Sequence, residues 1–115
     1  MAKTEPVGLH RLEEGGNFAK ALASAELALE RGQLEVAYFQ VGRALERDPK
    51  ALTAWDLRKR LAVATSNRDD EIYCLHRYYQ LSVAQGASKK RIKELRAQLE
   101  ATDPLAADLL GLKER

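Results

Sequence analysis

Cysteine is almost absent from this chain, which limits both its redox setting and its chemistry. The 115 residues include a single cysteine, Cys74, so no disulfide can form within the chain. A reducing, cytoplasmic setting is therefore the simplest expectation. Cys74 and His76 are two positions apart and would point in different directions on a helix, so their spacing does not set up a thiolate–imidazole pair.

Aromatic residues are also scarce, at 6%, whereas alanine and leucine dominate the apolar residues. This composition favours helices over sheets, and no sustained apolar–polar alternation predicts a strand. No stretch approaches the roughly 20 apolar residues that cross a bilayer, and the N-terminal residues lack the apolar core of a signal peptide. We therefore expect an all-α, soluble protein that is neither exported nor bound to a membrane.

The residue patterns of catalytic and cofactor sites are missing as well. The two histidines, His10 and His76, together with Cys74 match no zinc-binding spacing. Gly15 and Gly16 are not followed by the lysine and serine or threonine of a phosphate-binding loop. The sequence therefore predicts no enzyme, no cofactor and no metal site.

What the chain does contain is helical periodicity along most of its length. Residues 1–16 are predicted to form a partly flexible N-terminal segment that ends at Gly15 and Gly16, and Asn17 is predicted to cap the first long helix. Six helices are expected, at about 18–31, 33–47, 51–65, 69–85, 88–102 and 105–112. We predict that the third buries Ala54, Leu57, Leu61 and Ala64.

Short links separate these predicted helices. Gly32 and Gly86 are typical of helix ends, and Ser66–Asn67 interrupts the apolar pattern. Asp48 is predicted to cap the third helix, with Pro49 in its first turn. Gly42 lies inside the second helix, and we expect close packing against a neighbour to be the reason for it.

The links recur with a period near 34 residues, the distance from Gly32 to Ser66. Ala37, Ala44 and Pro49 match the second half of a tetratricopeptide repeat, Gly32 matches its turn, and Trp55 matches the early aromatic residue of the next repeat. The chain therefore resembles the tetratricopeptide-repeat family, as a small two-repeat protein with extra C-terminal helices. The resemblance implies one domain over residues 17–112, built as a right-handed superhelix of stacked antiparallel helix pairs.

Members of this family are mostly scaffolds that bind a peptide or protein on the concave face. Carried onto this chain, the partner-binding positions include Glu26, Asp56, Arg60, Val63, Lys90 and Glu94. Leu22, Glu26 and Asp56 oppose the family's carboxylate clamp, so a mixed-charge peptide or protein surface fits better. The structural alternative is that Asp56 and Arg60, four residues apart, form an ordinary surface pair.

Two other functions remain open at the level of sequence. The basic runs Arg58–Arg60 and Lys89–Arg96 could bind a phosphate backbone, or they could be solvated helix faces. Tyr78 and Tyr79 could stack on a base, or they could belong to the core. Finally, two copies could form a homodimer through an apolar seam, which consists of Ile92, Leu95, Leu99, Leu105, Leu109 and Leu112.

Overall fold

The computed structural model describes the backbone of residues 7–105 and the side chains of residues 16–105. Within that range the chain forms five helices and no strand, which confirms the all-α prediction. The helices are α1 (Val7–Glu30), α2 (Leu34–Arg47), α3 (Leu52–Ala64), α4 (Arg68–Ala84) and α5 (Lys89–Thr102). The sixth predicted helix, 105–112, lies outside the described residues apart from Leu105.

Helix α1 begins at Val7, so the predicted start at Asn17 is wrong. The backbone stays helical through Gly15 and Gly16, and Asn17 lies inside the helix instead of capping it. A glycine in a helix costs about 1 kcal/mol relative to alanine but still donates its backbone hydrogen bond, so it weakens a helix without ending it. Residues 1–6 of the N-terminal segment lie outside the described range.

The chain divides into two compact units between Leu57 and Arg58, a point inside α3. In the first unit, α1 packs against α2. Both helices bury small side chains at positions three, four or seven apart, the spacing of one helix face. These buried residues are Ala21, Ala25 and Ala28 on α1, and Ala37, Val41 and Ala44 on α2.

In the second unit, α4 packs against α5. Leu95 and Leu99 of α5 are buried, as are Cys74, Leu75, Leu81 and Ser82 of α4. Leu95 and Leu99 belong to the seam that was proposed for a homodimer, and their burial within the single chain removes them from it. Of the terminal leucines in that seam, the described range includes only Leu105, which is 70% exposed.

Helix α3 buries a face slightly different from the predicted one. Ala54, Leu57 and Leu61 are buried as expected, but Ala64 is exposed and Ala62 is buried in its place. Ala62 follows Trp55 by seven residues and shares its face, whereas Ala64 lies about 200° around the helix from Ala62. Trp55 is itself 5% exposed, which identifies it as a packing residue.

Three links between helices share one turn geometry. Gly32, Ser66 and Gly86 have positive φ angles of 75°, 58° and 82°. In each case the next residue donates a backbone hydrogen bond to the carbonyl five residues before it: Gln33 to Ala28 at 2.8 Å, Asn67 to Ala62 at 2.8 Å and Ala87 to Ser82 at 2.9 Å. The left-handed residue itself donates a second backbone hydrogen bond to the carbonyl three residues before it, at 3.0 or 3.1 Å. This is the Schellman motif, which satisfies carbonyls at a helix C-terminus.

The link at Asp48 and Pro49 is built differently, and the predicted role of both residues is wrong. Helix α3 starts at Leu52, so Pro49 precedes its first turn and lies in a tight turn instead. The Asp48 carboxylate accepts a hydrogen bond from the Lys50 backbone N–H at 3.1 Å, while its own N–H donates to Ala44 at the end of α2. Asp48 therefore ends α2 and closes the turn. The Trp55 indole N–H donates to the Pro49 carbonyl at 2.8 Å and fixes the turn against α3.

Among the residues that the structure describes, none packs closely against Gly42. A Cβ placed on Gly42 would meet no atom within 4 Å, so the prediction of close packing is wrong. The glycine therefore leaves open space beside α2, and it is not required by any contact within the described residues.

Candidate partner-binding surface

The residues predicted to bind a partner all lie on helices and reach solvent. In the first unit, Glu26 lies on α1 and Asp56 on α3; in the second, Arg60 and Val63 lie on α3, and Lys90 and Glu94 on α5. All have exposed side chains except Asp56, which is half-buried. Because of their spacing, Arg60 shares a helix face with Val63, and Lys90 shares one with Glu94. The pair on α3 combines a cation with an apolar side chain that is 54% exposed.

Arg58 is held inside the second unit. Its Nη2 donates to Oδ1 of Asp70 at 2.6 Å, and its Nε donates to Oδ2 at 3.1 Å. The guanidinium also lies 5.4 Å from the centre of the Tyr73 ring. Burial opposes the charge on Arg58, but the hydrogen bond and attraction from Asp70 outweigh it and raise its pKa above the ordinary value. Arg58 thus has a structural role, which reduces the basic run on α3 to Lys59 and Arg60.

The basic run on α5 divides between two faces of the helix. Lys89, Lys93 and Arg96 line a shallow cleft of about 360 Å³ together with Ile92. Arg91 lies on another face, where its Nη1 donates to Glu94 Oε1 at 3.4 Å. One face of α5 therefore carries three cations around an apolar side chain, a smaller basic surface than the whole run would give.

The tyrosines of α4 differ in their exposure, and two of them contact arginines. Tyr78 and Tyr79 are half-buried, and Tyr73 is 49% exposed beneath the Arg58 guanidinium. The Tyr78 ring centre lies 5.8 Å from the guanidinium carbon of Arg91. A hydrogen bond with Tyr78 raises the pKa of Arg91; burial opposes this shift, and Glu94 adds to it. Tyr73 and Tyr78 thus hold cations of their own unit, which favours a packing role over base stacking.

Cys74 lacks the environment of a reactive thiol. Its side chain is fully buried, and this burial raises the pKa of the thiol from 9.0 to about 12. The Asp70 carboxylate adds to the shift, while Arg58 and Lys59 partly oppose it. The thiol is therefore protonated at neutral pH and is a poor nucleophile and metal ligand.

His76 makes a contact with the end of α5. Its Nε2 lies 3.7 Å from Oδ2 of Asp103, the residue that follows the last turn of α5. No group of three or more metal-binding side chains occurs among the residues that the structure describes. Over the same residues, no helix has the length and apolarity to cross a bilayer.

One cluster of polar residues in the first unit was not found from the sequence. A cleft of about 180 Å³ between α1 and α2 is lined by Asn17, Lys20, Ala21, Ser24, Gln40, Arg43 and Arg47. A signal for it does exist, because Lys20 and Ser24 share one face of α1, as Gln40, Arg43 and Arg47 share one face of α2. The apolar stripes that predict the helices do not reveal the polar faces beside them.

No protein-family model matches this chain, and neither the curated proteins nor the solved structures give a significant match.

Proposed function

We propose that this protein is a tetratricopeptide-like helical-repeat module that binds a peptide or protein partner in the cytoplasm. The observation that supports it best is that one turn geometry closes the helix pairs α1–α2 and α3–α4, at Gly32 and Ser66, 34 residues apart; the same geometry also occurs at Gly86, between α4 and α5. Each of these turns connects two consecutive helices of 13 to 24 residues. A fixed period with one structural unit per repeat is typical of helical-repeat proteins.

In this proposal the helix pairs stack as a right-handed superhelix. The partner lies along the face formed by the first helix of each pair. Glu26, Asp56, Arg60, Val63, Lys90 and Glu94 belong to that face, and their mixture of charges selects a partner of mixed charge. Arg60 and Lys90 supply the cations, and Val63 supplies an exposed apolar contact.

Selection of binding peptides from a displayed library would test this proposal. We expect the wild-type protein to enrich a consensus peptide, and the double variant Arg60→Glu/Lys90→Glu to bind that peptide about tenfold or more weakly, because two attractive charges become repulsive. The matched control is Arg31→Glu/Lys50→Glu, which makes the same change in net charge at two exposed positions outside the face. An unchanged affinity in the first variant, or equal losses in both, would refute the assignment of the face.

A second candidate function is binding of nucleic acid, which is favoured by the three cations around Ile92 on one face of α5. Such binding would weaken steeply with salt, because each phosphate contact releases a counterion. A mobility-shift titration with single-stranded RNA at low and high salt would separate the two candidates. Retardation at low salt that is lost in Lys89→Gln/Lys93→Gln would support this function, and no retardation at low salt would remove it.

A further inference from the structure

The cleft between α1 and α2 is lined by charged side chains of one sign. Three of its lining side chains are cations, Lys20, Arg43 and Arg47, and none of its lining residues is a carboxylate. Within the described residues, no carboxylate forms an ion pair with any of the three. The described residues that line the cleft therefore carry three positive charges and no negative one.

The neutral residues of the cleft are also suited to an anion. Asn17 and Gln40 carry side-chain amides, and Ser24 carries a hydroxyl, all of which can donate hydrogen bonds. These donors come from two helices, so they reach the cleft from both sides. Ala21, which is 7% exposed, adds a small apolar surface to the lining.

We propose that this cleft binds a phosphate monoester, carried by a phosphorylated serine or threonine in a partner segment. A phosphate monoester has a charge of about −1.5 to −2 and three acceptor oxygens, which matches three cations and several donors around one cavity. A carboxylate has a single charge and two oxygens in one plane, so it would leave part of this site unused. Arginine clusters are a recurrent means of recognising phosphorylated segments.

The surface beside the cleft favours a phosphorylated peptide over a nucleic acid. Phe39 is 62% exposed, and its ring centre lies 5.9 Å from the guanidinium carbon of Arg43. Val36, three residues earlier on the same face of α2, is 48% exposed. This strip leads from the cleft along the helix and suits the apolar side chains that flank a phosphorylated residue. A nucleic acid would instead require a row of cations, to match successive phosphates.

This site is distinct from the face assigned under the proposed function, and no residue is shared between them. Its test therefore stands apart from the test of that face. Fluorescence anisotropy with a degenerate peptide library that fixes phosphoserine at the centre measures binding directly, and the library with unmodified serine is the matched probe. We expect the phosphorylated library to bind about tenfold or more tightly.

Variants locate the binding. Arg43→Gln/Arg47→Gln should lower the affinity for the phosphorylated library about tenfold, whereas Arg31→Gln, an exposed cation outside the cleft, should leave it unchanged. Phe39→Ala should lower the affinity for the phosphorylated library. The concentration of inorganic phosphate needed to displace the library should stay the same. Circular dichroism of each variant establishes that the helices are intact.

Three results would overturn the proposal. They are equal affinity for the phosphorylated and unmodified libraries, an equal loss in the Arg31→Gln control, and tighter binding of single-stranded RNA than of the phosphorylated library. The last of these would assign the cleft to a nucleic-acid phosphate instead.

Discussion

Arg58 and Asp70 form a bidentate ion pair between α3 and α4, with N···O distances of 2.6 and 3.1 Å. Asp70 lies in the first turn of α4, where its negative charge interacts favourably with the helix dipole. Its backbone N–H is satisfied separately by the Asn67 side chain at 3.1 Å, which caps the same helix. The carboxylate therefore holds the middle of α3 against the start of α4, through a pair whose Asp70 side chain is only 12% exposed.

The first prediction concerns the strength of this pair. In a double-mutant cycle with Arg58→Gln and Asp70→Asn, we expect a coupling energy of about 1–2 kcal/mol, because charge-assisted hydrogen bonds in a partly buried site are stronger than surface pairs. Urea unfolding monitored by circular dichroism would measure it. The coupling should survive at high salt, since a partly buried pair is weakly screened.

The chain supplies its own control for that cycle. Arg91 and Glu94 are 3.4 Å apart, with side chains 45% and 50% exposed. Their coupling energy should be below about 0.5 kcal/mol and should disappear at high salt. Equal coupling energies in the two cycles would show that burial and bidentate geometry do not strengthen the Arg58–Asp70 pair.

A second prediction follows from the left-handed backbone of Ser66. A residue with a side chain costs about 1–2 kcal/mol in that conformation, whereas glycine adopts it without strain. Glycine also gains entropy in the unfolded chain, which offsets about 0.5–1 kcal/mol. Ser66→Gly should therefore raise the free energy of unfolding by about 0.5–1 kcal/mol, as measured by urea denaturation.

The reverse change at the equivalent turn is the matched control. Gly32→Ser places a side chain at a φ of 75°, and it should destabilise the protein by a similar amount. If Ser66→Gly destabilised the protein, the Ser66 side chain would have to make a contact worth more than the backbone strain.

A third prediction uses the open space beside Gly42. Gly42→Ala should stabilise the protein by about 0.5–1 kcal/mol, because alanine is the better helix former and its methyl group meets no atom within 4 Å. A rise in melting temperature by circular dichroism would show it. A loss of stability would instead mean that another part of the molecule, or a partner, lies against this side of α2.

Local sequence signals were sufficient for most helix ends, because the residues responsible act on their own backbone. Gly32 ends α1 by its positive φ, and the Ser88 side chain caps α5 by accepting a hydrogen bond from the Arg91 N–H at 3.1 Å. The start of α1 could not be predicted in this way. At Gly15 and Gly16 the cost of glycine has to be weighed against the hydrogen bonds of a 24-residue helix, and residue type alone does not give that balance.

The candidate sites were harder to predict, because they depend on residues that are distant in sequence. Arg58 was assigned to a basic run, but its partner Asp70 is 12 residues away on another helix. Equally, the cations of the α1–α2 cleft come from positions 20, 43 and 47, and they meet only because the two helices pack. The spacing of 40, 43 and 47 on α2, and of 20 and 24 on α1, places polar side chains on one face of each helix, which the sequence alone could show; that the two faces meet requires the fold.

The fourth prediction concerns Cys74, whose thiol has a pKa of about 12 when folded against 9.0 when solvated. Between those values the unfolded chain loses the thiol proton while the folded chain keeps it, so the unfolded state binds fewer protons and stability falls as pH rises. From about pH 8 to about pH 10 this group alone should cost about 1–1.5 kcal/mol of unfolding free energy. Cys74→Ala should lack this loss while sharing the titration of tyrosines and lysines, so urea unfolding of both proteins at the two pH values isolates it.

Native Cys74 should also react with iodoacetamide far more slowly than in urea, because the reactive thiolate is nearly absent in the buried state. Parallel pH profiles for wild type and Cys74→Ala, or fast labelling of the native protein, would show that the thiol reaches water.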